Sequence, residues 1–586
     1  MKKEITQLLD KVQKPGRYIG GEINSVVKAF SKKRIKIALA YPDIYEIGMS
    51  NLGLVILYHL LNERDDVLCE RVFMPWEDME KELISAKTRL FSLESKKAIN
   101  QFDIVGFSLS YELTYTNVLQ MLYLAGISLR SKDRGPEEPL IIAGGTCSYN
   151  PEPMSDFIDV FIIGEGEESI LRFIDKYKEC RTSGMDRRKL LYALSCLDNV
   201  YVPALYRAEY VDDKFFKLFS LHENAAPVIK KAVVEDFENA YYPVKQIVPF
   251  IKIIHDRMAV EIMRGCPNAC RFCQACVVNR PVRVRSSERI RKICSDTYKN
   301  TGYERIGLLS LSSVNYPYLS NVMKALDQDF KGLGVGISIP SLRIDTAFYE
   351  LPEIMASVRK SGLTFAPESA DKSINRAIGK DIDRDVLFKS ALAAFSHGWR
   401  RLKLYFMVGF PLVDRNEIEG IIMLARELSV LKNKVSRGSA EIKVSVNPFI
   451  PKPHTPLQWY GMAGISKISN AKTLFLNSYS KKIKHEFHDP EQSVVEACLS
   501  RGDRRISCVI YTAWRKGAKM DGWSDFFNFN TWKSSFQAQG IDIYNYAAQA
   551  YSIDDPLPWQ HILVSMKKEH LIEEFQEYNR QILNSE

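Results

Sequence analysis

The chain lacks the features of a membrane-spanning or secreted protein. In 586 residues, no apolar run reaches the roughly 18 residues that a membrane-spanning helix needs. The first residues, Met-Lys-Lys-Glu-Ile-Thr-Gln, contain no apolar signal core, so we expect a cytoplasmic protein with no membrane partner. A large excess of one charge is also missing, because a net charge of +9 is mild for this length and argues only weakly for an anionic partner.

The composition is that of an ordinary large globular protein. Hydrophobic residues make up 46% and charged residues 26%, which allows several buried cores. At ~150 residues per domain, the length predicts about four domains. The 11 cysteines, three of which form the motif described next, fit a reducing cytoplasm better than a disulfide framework.

Three cysteines fall within eight positions, with the spacing Cys-x3-Cys-x2-Cys. They are Cys266, Cys270 and Cys273, and they directly follow the apolar run 258–263. Thiolates are the soft ligands of iron–sulfur clusters, and one tight loop can direct all three at one cluster. Three ligands on a four-iron cluster leave one iron open, which a catalytic site needs.

A further cysteine, Cys276, keeps other interpretations open. It would give zinc a fourth ligand, but the spacing Cys-x3-Cys-x2-Cys-x2-Cys matches no usual zinc finger. We interpret Cys276 as a small packed residue in a helix after the loop. The alternative is a four-thiolate cluster with no open iron, which would make the chain a non-catalytic electron carrier.

With Phe272 just before its last cysteine, the motif resembles that of the radical S-adenosylmethionine enzymes. The resemblance implies a 4Fe-4S cluster whose open iron binds the amino and carboxylate groups of S-adenosylmethionine. One electron then breaks a carbon–sulfur bond and gives a 5′-deoxyadenosyl radical. It also implies a reductant such as flavodoxin or ferredoxin as a partner.

Five short apolar segments precede the motif and are separated by helical stretches. They are residues 35–41, 67–73, 104–108, 140–143 and 160–163. This alternation predicts a doubly wound parallel sheet. Ligands of such sheets bind beyond the carboxyl ends of the strands, where the glycine-rich loops lie.

Those loops resemble the cobalamin-binding domain that precedes many radical S-adenosylmethionine barrels. The fingerprint Asp-x-His-x-x-Gly ends here at Gly48, and Ser108 and the pair Gly144 and Gly145 match the later loops. Tyr45 replaces the cobalt-ligating histidine, and a phenol with a pKa of about 10 is a poor ligand. The resemblance therefore implies cobalamin without a lower histidine ligand. The alternative is a sheet that binds no ligand.

Six more apolar strands follow, separated by helices, and predict a partial (β/α)6 barrel of the TIM type. They are residues 259–263, 306–311, 335–339, 363–367, 402–408 and 442–447. Barrel enzymes work at the carboxyl ends of their strands. There the resemblance implies contacts with S-adenosylmethionine from Ser312, Ser341, Arg343, Glu368, Lys380 and Gly409. For each position, turn chemistry or a surface polar role is the alternative.

The expected fold class is α/β: a doubly wound Rossmann-like sheet, a partial barrel and a mainly helical C-terminal domain. The expected domains are a lead-in 1–34, a cobalamin-binding-like domain 35–175, a connector 176–250, the barrel 251–460 and the C-terminal domain 461–586. From about residue 465 we expect no further barrel strand. Helices are predicted over 501–515 and 561–583.

Across the chain, the resemblance is to a radical S-adenosylmethionine family with an N-terminal cobalamin-type domain and a helical C-terminal extension. It implies methylation or rearrangement at an unactivated carbon of an unidentified small-molecule or RNA substrate. Two alternatives stay open: a cobalamin-independent radical enzyme that modifies RNA, and the non-catalytic electron carrier.

Overall fold

The computed structural model describes residues 2–31, 33–212, 214–223, 225–339, 363–478 and 480–585. Its first sheet comprises β1 (Ile35–Tyr41), β2 (Val67–Phe73), β3 (Ile104–Ser108), β4 (Leu140–Gly144), β5 (Val160–Ile162) and β6 (Val200–Tyr201). The helices of this part are α1 (Lys2–Leu9), α2 (Tyr45–Gly48), α3 (Leu52–Asn62), α4 (Glu77–Ser85), α5 (Tyr115–Ala125), α6 (Gly166–Thr182) and α7 (Arg187–Leu194).

The strand order of this sheet is β2-β1-β3-β4-β5-β6, and its first five strands are parallel. Every residue of β1 and β2 is buried, as expected of a doubly wound sheet covered on both faces. The predicted strands and the doubly wound sheet are confirmed. The order reverses between β1 and β3, where such sheets bind their ligands.

Part of the expected connector extends this sheet, because β6 pairs antiparallel with β5. A hairpin of β7 (Tyr206–Val211) and β8 (Lys214–Ser220) follows, and then β9 (Ile229–Lys230).

The second half of the chain forms the barrel. Its strands are β10 (Met258–Glu261), β13 (Arg305–Leu309), β14 (Gly336–Ser338), β15 (Leu363–Glu368), β16 (Arg401–Val408), β17 (Glu441–Pro448) and β18 (Ile483–Phe487). A short ladder of β11 (Met263–Arg264) and β12 (Arg283–Val284) flanks the cysteine loop. The six predicted strands are confirmed to within a few residues.

The helices from the cysteine motif onward are α8 (Gln274–Val278), α9 (Ser287–Thr301), α10 (Leu319–Asp329), α11 (Lys372–Ala377), α12 (Arg384–Ser396), α13 (Glu417–Leu431), α14 (Ile465–Asn477), α15 (Pro490–Ser500), α16 (Ile506–Arg515), α17 (Phe529–Gln537), α18 (Ile543–Ala547) and α19 (Lys568–Leu583). The last strand of the chain, β19 (Ile562–Leu563), pairs with β9.

The prediction that no barrel strand follows residue 465 is wrong. After α14, β18 pairs in parallel with β17 and adds a seventh strand. Its sequence, Ile-Lys-His-Glu-Phe, is not an apolar run, because three of its five side chains are charged or imidazole groups. Among the described strands, β18 has a neighbour on one side only. Periodicity indicates a buried parallel strand only when both faces are covered.

Two C-terminal helix predictions need correction. The helix predicted over 501–515 begins at Ile506, because residues 501–505 form a turn after α15. The helix predicted from His561 begins at Lys568, because Ile562 and Leu563 extend into β19 instead. In the described part of the chain, no helix combines the length and the apolar character needed to cross a membrane.

Candidate functional site

The cysteine loop lies between β11 and α8. Cys266 and Cys270 are buried, and Cys273 is half-buried at the start of α8. Cys276 is buried one turn further on, in the predicted helix. None of the 11 cysteines, all of which are described, is in a disulfide.

The four thiols interact with each other. Cys276 shares hydrogen bonds with Cys266, Cys270 and Cys273, and these neighbours raise the pKa of Cys276 well above its usual range. The hydrogen bond from Cys276 lowers the pKa of Cys273 in turn. The preferred state is therefore a protonated Cys276 that donates to a thiolate.

The donor set fits an iron–sulfur cluster in its chemistry. No group of three or more cysteine, histidine, aspartate or glutamate side chains among the described residues is arranged to hold a single metal ion. The thiols contact each other, and together they form a small buried group of their own beside Phe272. Three neighbouring cysteines from one loop are nevertheless the kind of ligand that a 4Fe-4S cluster takes.

An amide links the cysteine loop to the end of the second barrel strand. Asn268 Nδ2 donates to Cys266 Sγ at 3.3 Å and to Asn315 Oδ1 at 3.2 Å. The buried Ser312, a predicted site residue, also donates to Asn315 Oδ1, at 2.6 Å. Sequence reasoning missed Asn268 and Asn315, because no spacing pairs two asparagines from separate loops.

The turn after α11 supports the same loop from another side. The Arg271 backbone N–H donates to Ile378 O at 2.9 Å, and its guanidinium donates to Ala377 O at 2.6 Å. Gly379 has φ +70°, and a Cβ there would lie 2.5 Å from Ala269 O. The Arg271 side chain also reaches Glu574 of α19 at 2.8 Å, so the last helix helps to hold the loop.

Glu368 and Lys380, both predicted site residues, form an ion pair of 2.5 Å in which each side chain is 12% exposed. Burial raises the pKa of Glu368, and the Lys380 charge opposes that rise. Lys380 is close enough to Cys273 to help lower the pKa of that thiol. The ion pair therefore lies beside the cysteine loop.

Gly409 follows β16, and its N–H donates to Glu417 Oε2 at 2.9 Å. Burial raises the pKa of Glu417 to about 7. Two other predicted site residues, Ser341 and Arg343, lie outside the described residues.

A cavity of about 610 Å³ opens between the first sheet and the cysteine loop. Its sheet side is formed by the ends of β1, β3, β4 and β5 and includes the predicted residues Ser108, Gly144 and Gly145. Its barrel side includes Met263, Arg264 and Gly265 with the end of β13 and the residues after it. The segment that lines the cavity continues directly into Cys266.

Arginine–glutamate pairs join the two sides of this cavity. Arg264 contacts Glu165, which precedes α6, at 3.2 Å, Glu167 in the first turn of α6 at 2.6 Å, and Glu261 of β10 at 2.8 Å. Arg283 of β12 reaches Glu165 at 2.6 Å. This network fixes the residue two positions before Cys266 relative to the first sheet.

The structure places Tyr45 and Gly48 away from the cavity. Tyr45 is buried, donates to Glu22 Oε1 at 2.9 Å and packs edge-on against Phe73. A Cβ on Gly48 would lie 2.3 Å from the Phe73 ring. Neither residue is among those that line the cavity, and no histidine is among the described residues there.

A buried ionic cluster, absent from the sequence reasoning, joins the last barrel loop to the first sheet. Lys452 Nζ lies 2.8 Å from Glu112 and 2.9 Å from Glu496. Tyr111 donates to the other oxygen of Glu496 at 3.1 Å. Nearby, the His454 ring donates to Tyr149 O at 2.8 Å. The only available signal was the segment 447–456, and its partners are 44 residues away at Glu496 and more than 300 residues away at Glu112 and Tyr149.

Two family models match this chain. The one described as radical SAM proteins, N-terminal, matches residues 53–203, and the one described as the radical SAM superfamily matches residues 260–425. The uncharacterized protein MJ0966 of Methanocaldococcus jannaschii is 28% identical over 484 residues, which cover 81% of this chain and 90% of that protein.

A second relative is the uncharacterized methyltransferase PH0819 of Pyrococcus horikoshii. It is 24% identical over 207 residues, or 34% of this chain and 44% of that protein. Among solved structures, the radical S-adenosylmethionine methyltransferase TsrM from Kitasatospora setae, with cobalamin and a 4Fe-4S cluster bound, is similar with a TM-score of 0.51. At 10% identity over 73% of this chain and 77% of that one, the likeness is one of fold.

Proposed function

We propose a function from the premise that this chain belongs to the radical S-adenosylmethionine superfamily. The chain cleaves S-adenosylmethionine at the cysteine loop and uses the radical to methylate or rearrange a substrate at an unactivated carbon, with cobalamin in the adjacent cavity. The observation that carries this proposal is the continuity of the two sites. Residues 263–265 line the cavity, and the next residue is Cys266.

The cysteine loop would hold the 4Fe-4S cluster through Cys266, Cys270 and Cys273. When bound, the cluster supplies the electron that breaks a carbon–sulfur bond of S-adenosylmethionine. Cys276 stays a thiol and donates to the loop. Asn268 donates to the Cys266 sulfur, and such hydrogen bonds help to set a cluster's reduction potential.

Residues at the carboxyl ends of the barrel strands would hold S-adenosylmethionine. Glu368 and Lys380 supply one negative and one positive charge beside the cysteine loop, and Ser312 supplies a hydroxyl. This combination suits the amino acid part of S-adenosylmethionine, which carries both charges. The turn at Gly409 is assigned to the adenine side. Arg343, which lies outside the described residues, would bind the carboxylate of S-adenosylmethionine through its planar guanidinium.

The cavity would hold cobalamin, with Ser108, Gly144 and Gly145 at the sheet ends. When bound, cobalamin supplies a methyl group for transfer to carbon. The glycines leave the backbone open to a broad flat ligand, and the walls are mostly apolar. Because no histidine is among the described lining residues, cobalt would have no lower histidine ligand.

Formation of 5′-deoxyadenosine tests the cleavage step. Wild type and the variants Cys270→Ala and Cys276→Ala would be reconstituted anaerobically, reduced with dithionite and supplied with S-adenosylmethionine. We expect product from wild type and from Cys276→Ala, and none from Cys270→Ala. Cleavage by Cys270→Ala would contradict the assignment of the ligands.

A four-thiolate electron carrier is a second candidate, because Cys276 contacts the other three thiols. It differs from the proposed enzyme in two measurable ways. The carrier would lose its cluster in Cys276→Ala, and its electron paramagnetic resonance spectrum would not change when S-adenosylmethionine is added.

A further inference from the structure

The face of strands β16 to β18 that points into the barrel lumen carries a lysine on each strand. Along β16, Leu402, Leu404 and Phe406 are buried on the outer face, where helices cover the sheet. The alternate residues Lys403 and Tyr405 therefore face the lumen, since side chains alternate along a strand. Both side chains are half-buried.

Three lysines form one row across this face. Lys403 pairs in register with Lys443 of β17, which pairs with Lys484 of β18. Neighbouring strands lie about 4.8 Å apart, so the three lysine side chains leave the sheet next to one another, with Lys484 exposed on the last strand. Like charges at such positions repel and lower the stability of the sheet. Folding alone therefore gives no reason for the row.

One carboxylate lies among these lysines. Glu486 lies 3.0 Å from Lys443 and 3.9 Å from Lys403, and their charges lower its pKa against the effect of partial burial. Lys403 also donates to the Tyr405 hydroxyl. The three ammonium groups and the one carboxylate of this row together carry a net positive charge.

A further cation lies on the lumen side of the first barrel strands. Arg257 precedes β10 and extends over Gly307, where a Cβ would lie 2.9 Å from the Arg257 Nε. This Nε is buried and has no hydrogen-bond partner among the described residues, while Nη1 lies 3.5 Å from Ser338 Oγ. Arg257 therefore adds a guanidinium to the lumen side of the first barrel strands.

We propose that the lysine row, Lys403, Lys443 and Lys484, binds a phosphate or diphosphate group of the substrate inside the barrel. This inference rests on the proposed function, because it names the substrate class of that reaction. Ammonium groups bind phosphate as point charges. The lumen favours a small molecule over a folded polymer.

The position of the lysine row fits a substrate with an anionic end and a separate reacting end. The lysines lie in the amino-terminal half of their strands, whereas Glu368 and the cysteine loop lie at the carboxyl ends. An anionic group held by the row would direct the rest of the substrate along the lumen toward the radical site. The carbon that reacts would then be several bonds away from the phosphate.

Calorimetric titration of the full-length reconstituted protein with pyrophosphate tests this inference. The variant K403Q/K443Q/K484Q is compared with K389Q/K567Q/K568Q, which removes the same charge from exposed helix positions. We expect the row variant to bind pyrophosphate about tenfold more weakly for each lysine removed, and the control to bind like wild type. Lys443→Arg keeps the charge and is expected to retain binding, which separates loss of the site from misfolding.

The results separate the failure of this inference from the failure of the proposed function. Equal binding by wild type and the row variant, or no binding by a wild type that forms 5′-deoxyadenosine, would overturn the inference alone. Pyrophosphate binding by a wild type that forms no 5′-deoxyadenosine would support the row and contradict the proposed reaction. An RNA oligonucleotide that binds the row more tightly than pyrophosphate would overturn the assignment to a small molecule.

Discussion

At the residue scale, two thiols of the cysteine motif, Cys273 and Cys276, differ in their preference for a proton. Cys276 keeps its proton because three sulfur neighbours surround it, and its hydrogen bond favours the thiolate of Cys273. A cysteine that donates to a ligand sulfur affects the cluster without being bound to iron. The same protein can therefore hold four neighbouring thiols and still leave one iron open.

The Glu368–Lys380 pair gives a prediction at this scale. Glu368→Gln removes the carboxylate and leaves the nearly buried Lys380 ammonium without its ion-pair partner. Since losing a charged hydrogen-bond partner costs about 1.5–3 kcal/mol, we expect S-adenosylmethionine to bind at least about tenfold more weakly. The binding isotherm of the reconstituted variant measures this.

The matched control is Glu427→Gln, whose ion pair with Arg384 is exposed. It should bind S-adenosylmethionine like wild type. Unchanged binding by Glu368→Gln would remove Glu368 from the site.

What the sequence predicts for single residues depends on how far away their partners are. The cysteines are close in sequence, so their spacing alone indicates a shared ligand. Tyr45 matches the position of a fingerprint residue, but its hydroxyl is bound to Glu22 in the lead-in, and no motif pairs these two. The partners of Lys452 are more than 40 and 300 residues away, beyond the reach of any pattern.

At the scale of elements, the turn after α11 supports the cysteine loop. A substitution at Gly379 in this turn tests that support. In Gly379→Ala the new Cβ would lie 2.5 Å from Ala269 O, so one of the two backbone segments has to move. We expect much less iron per chain after anaerobic reconstitution, because the loop is displaced.

The control for this prediction is Gly302→Ala. Gly302 has nearly the same φ, +68°, but nothing lies within 4 Å of its Cβ position. Alanine in a left-handed backbone conformation destabilises both variants by about 1–2 kcal/mol, but only Gly379→Ala disturbs the cysteine loop. If both variants took up the same iron as wild type, the turn would not support the loop.

The arginine network between the first sheet and β11 gives a second prediction for elements. Arg264→Met leaves Glu167 and Glu261 without their nearly buried partner, whereas Glu165 keeps Arg283. Losing one partner of a buried ion pair costs about 3–5 kcal/mol. Arg291→Met breaks the exposed pair with Asp329 and should cost less than about 1 kcal/mol. Urea unfolding compares the two, and equal stability would show that the network does not join the elements.

Strand prediction succeeded where apolar runs are covered on both faces, as in β1 and β2. It failed for β18, whose lysine and glutamate side chains hide the strand pattern. The same side chains form part of the basic wall of the lumen. The element that sequence reasoning missed is therefore one that carries a proposed binding group.

At the scale of the whole molecule, one apolar core extends through the first sheet, strands β15 to β17 and the C-terminal helices. It includes Leu39, Leu404 and Trp532. The ionic cluster of Lys452 and the His454 contact cross the same junction. The sheet, the barrel and the last helices therefore depend on each other for their positions.

This junction makes stability sensitive to acid. Burial lowers the pKa of His454, His561 and His59 to about 4, from an ordinary value near 6.5. Each of these imidazoles is neutral in the folded protein. Between pH 6.5 and about pH 4, protons therefore bind preferentially to the unfolded chain, and the free energy of unfolding falls as the pH is lowered. Each of these histidines should lower the free energy of unfolding by on the order of 2 kcal/mol at pH 5.

Calorimetry at pH 7 and pH 5 measures this effect. We expect a lower unfolding temperature at pH 5, and a smaller difference between the two pH values for His454→Gln. An unfolding temperature that is equal or higher at pH 5 would contradict the neutral state of the buried imidazoles.

The central claim is that one cavity between the first sheet and the cysteine loop holds cobalamin next to the cluster. The most direct test is to reconstitute the protein anaerobically, add hydroxocobalamin, desalt it, and measure cobalt per chain beside the visible spectrum. We predict stoichiometric cobalt and a spectrum without histidine ligation. A protein that holds its cluster but retains no cobalt would contradict the claim.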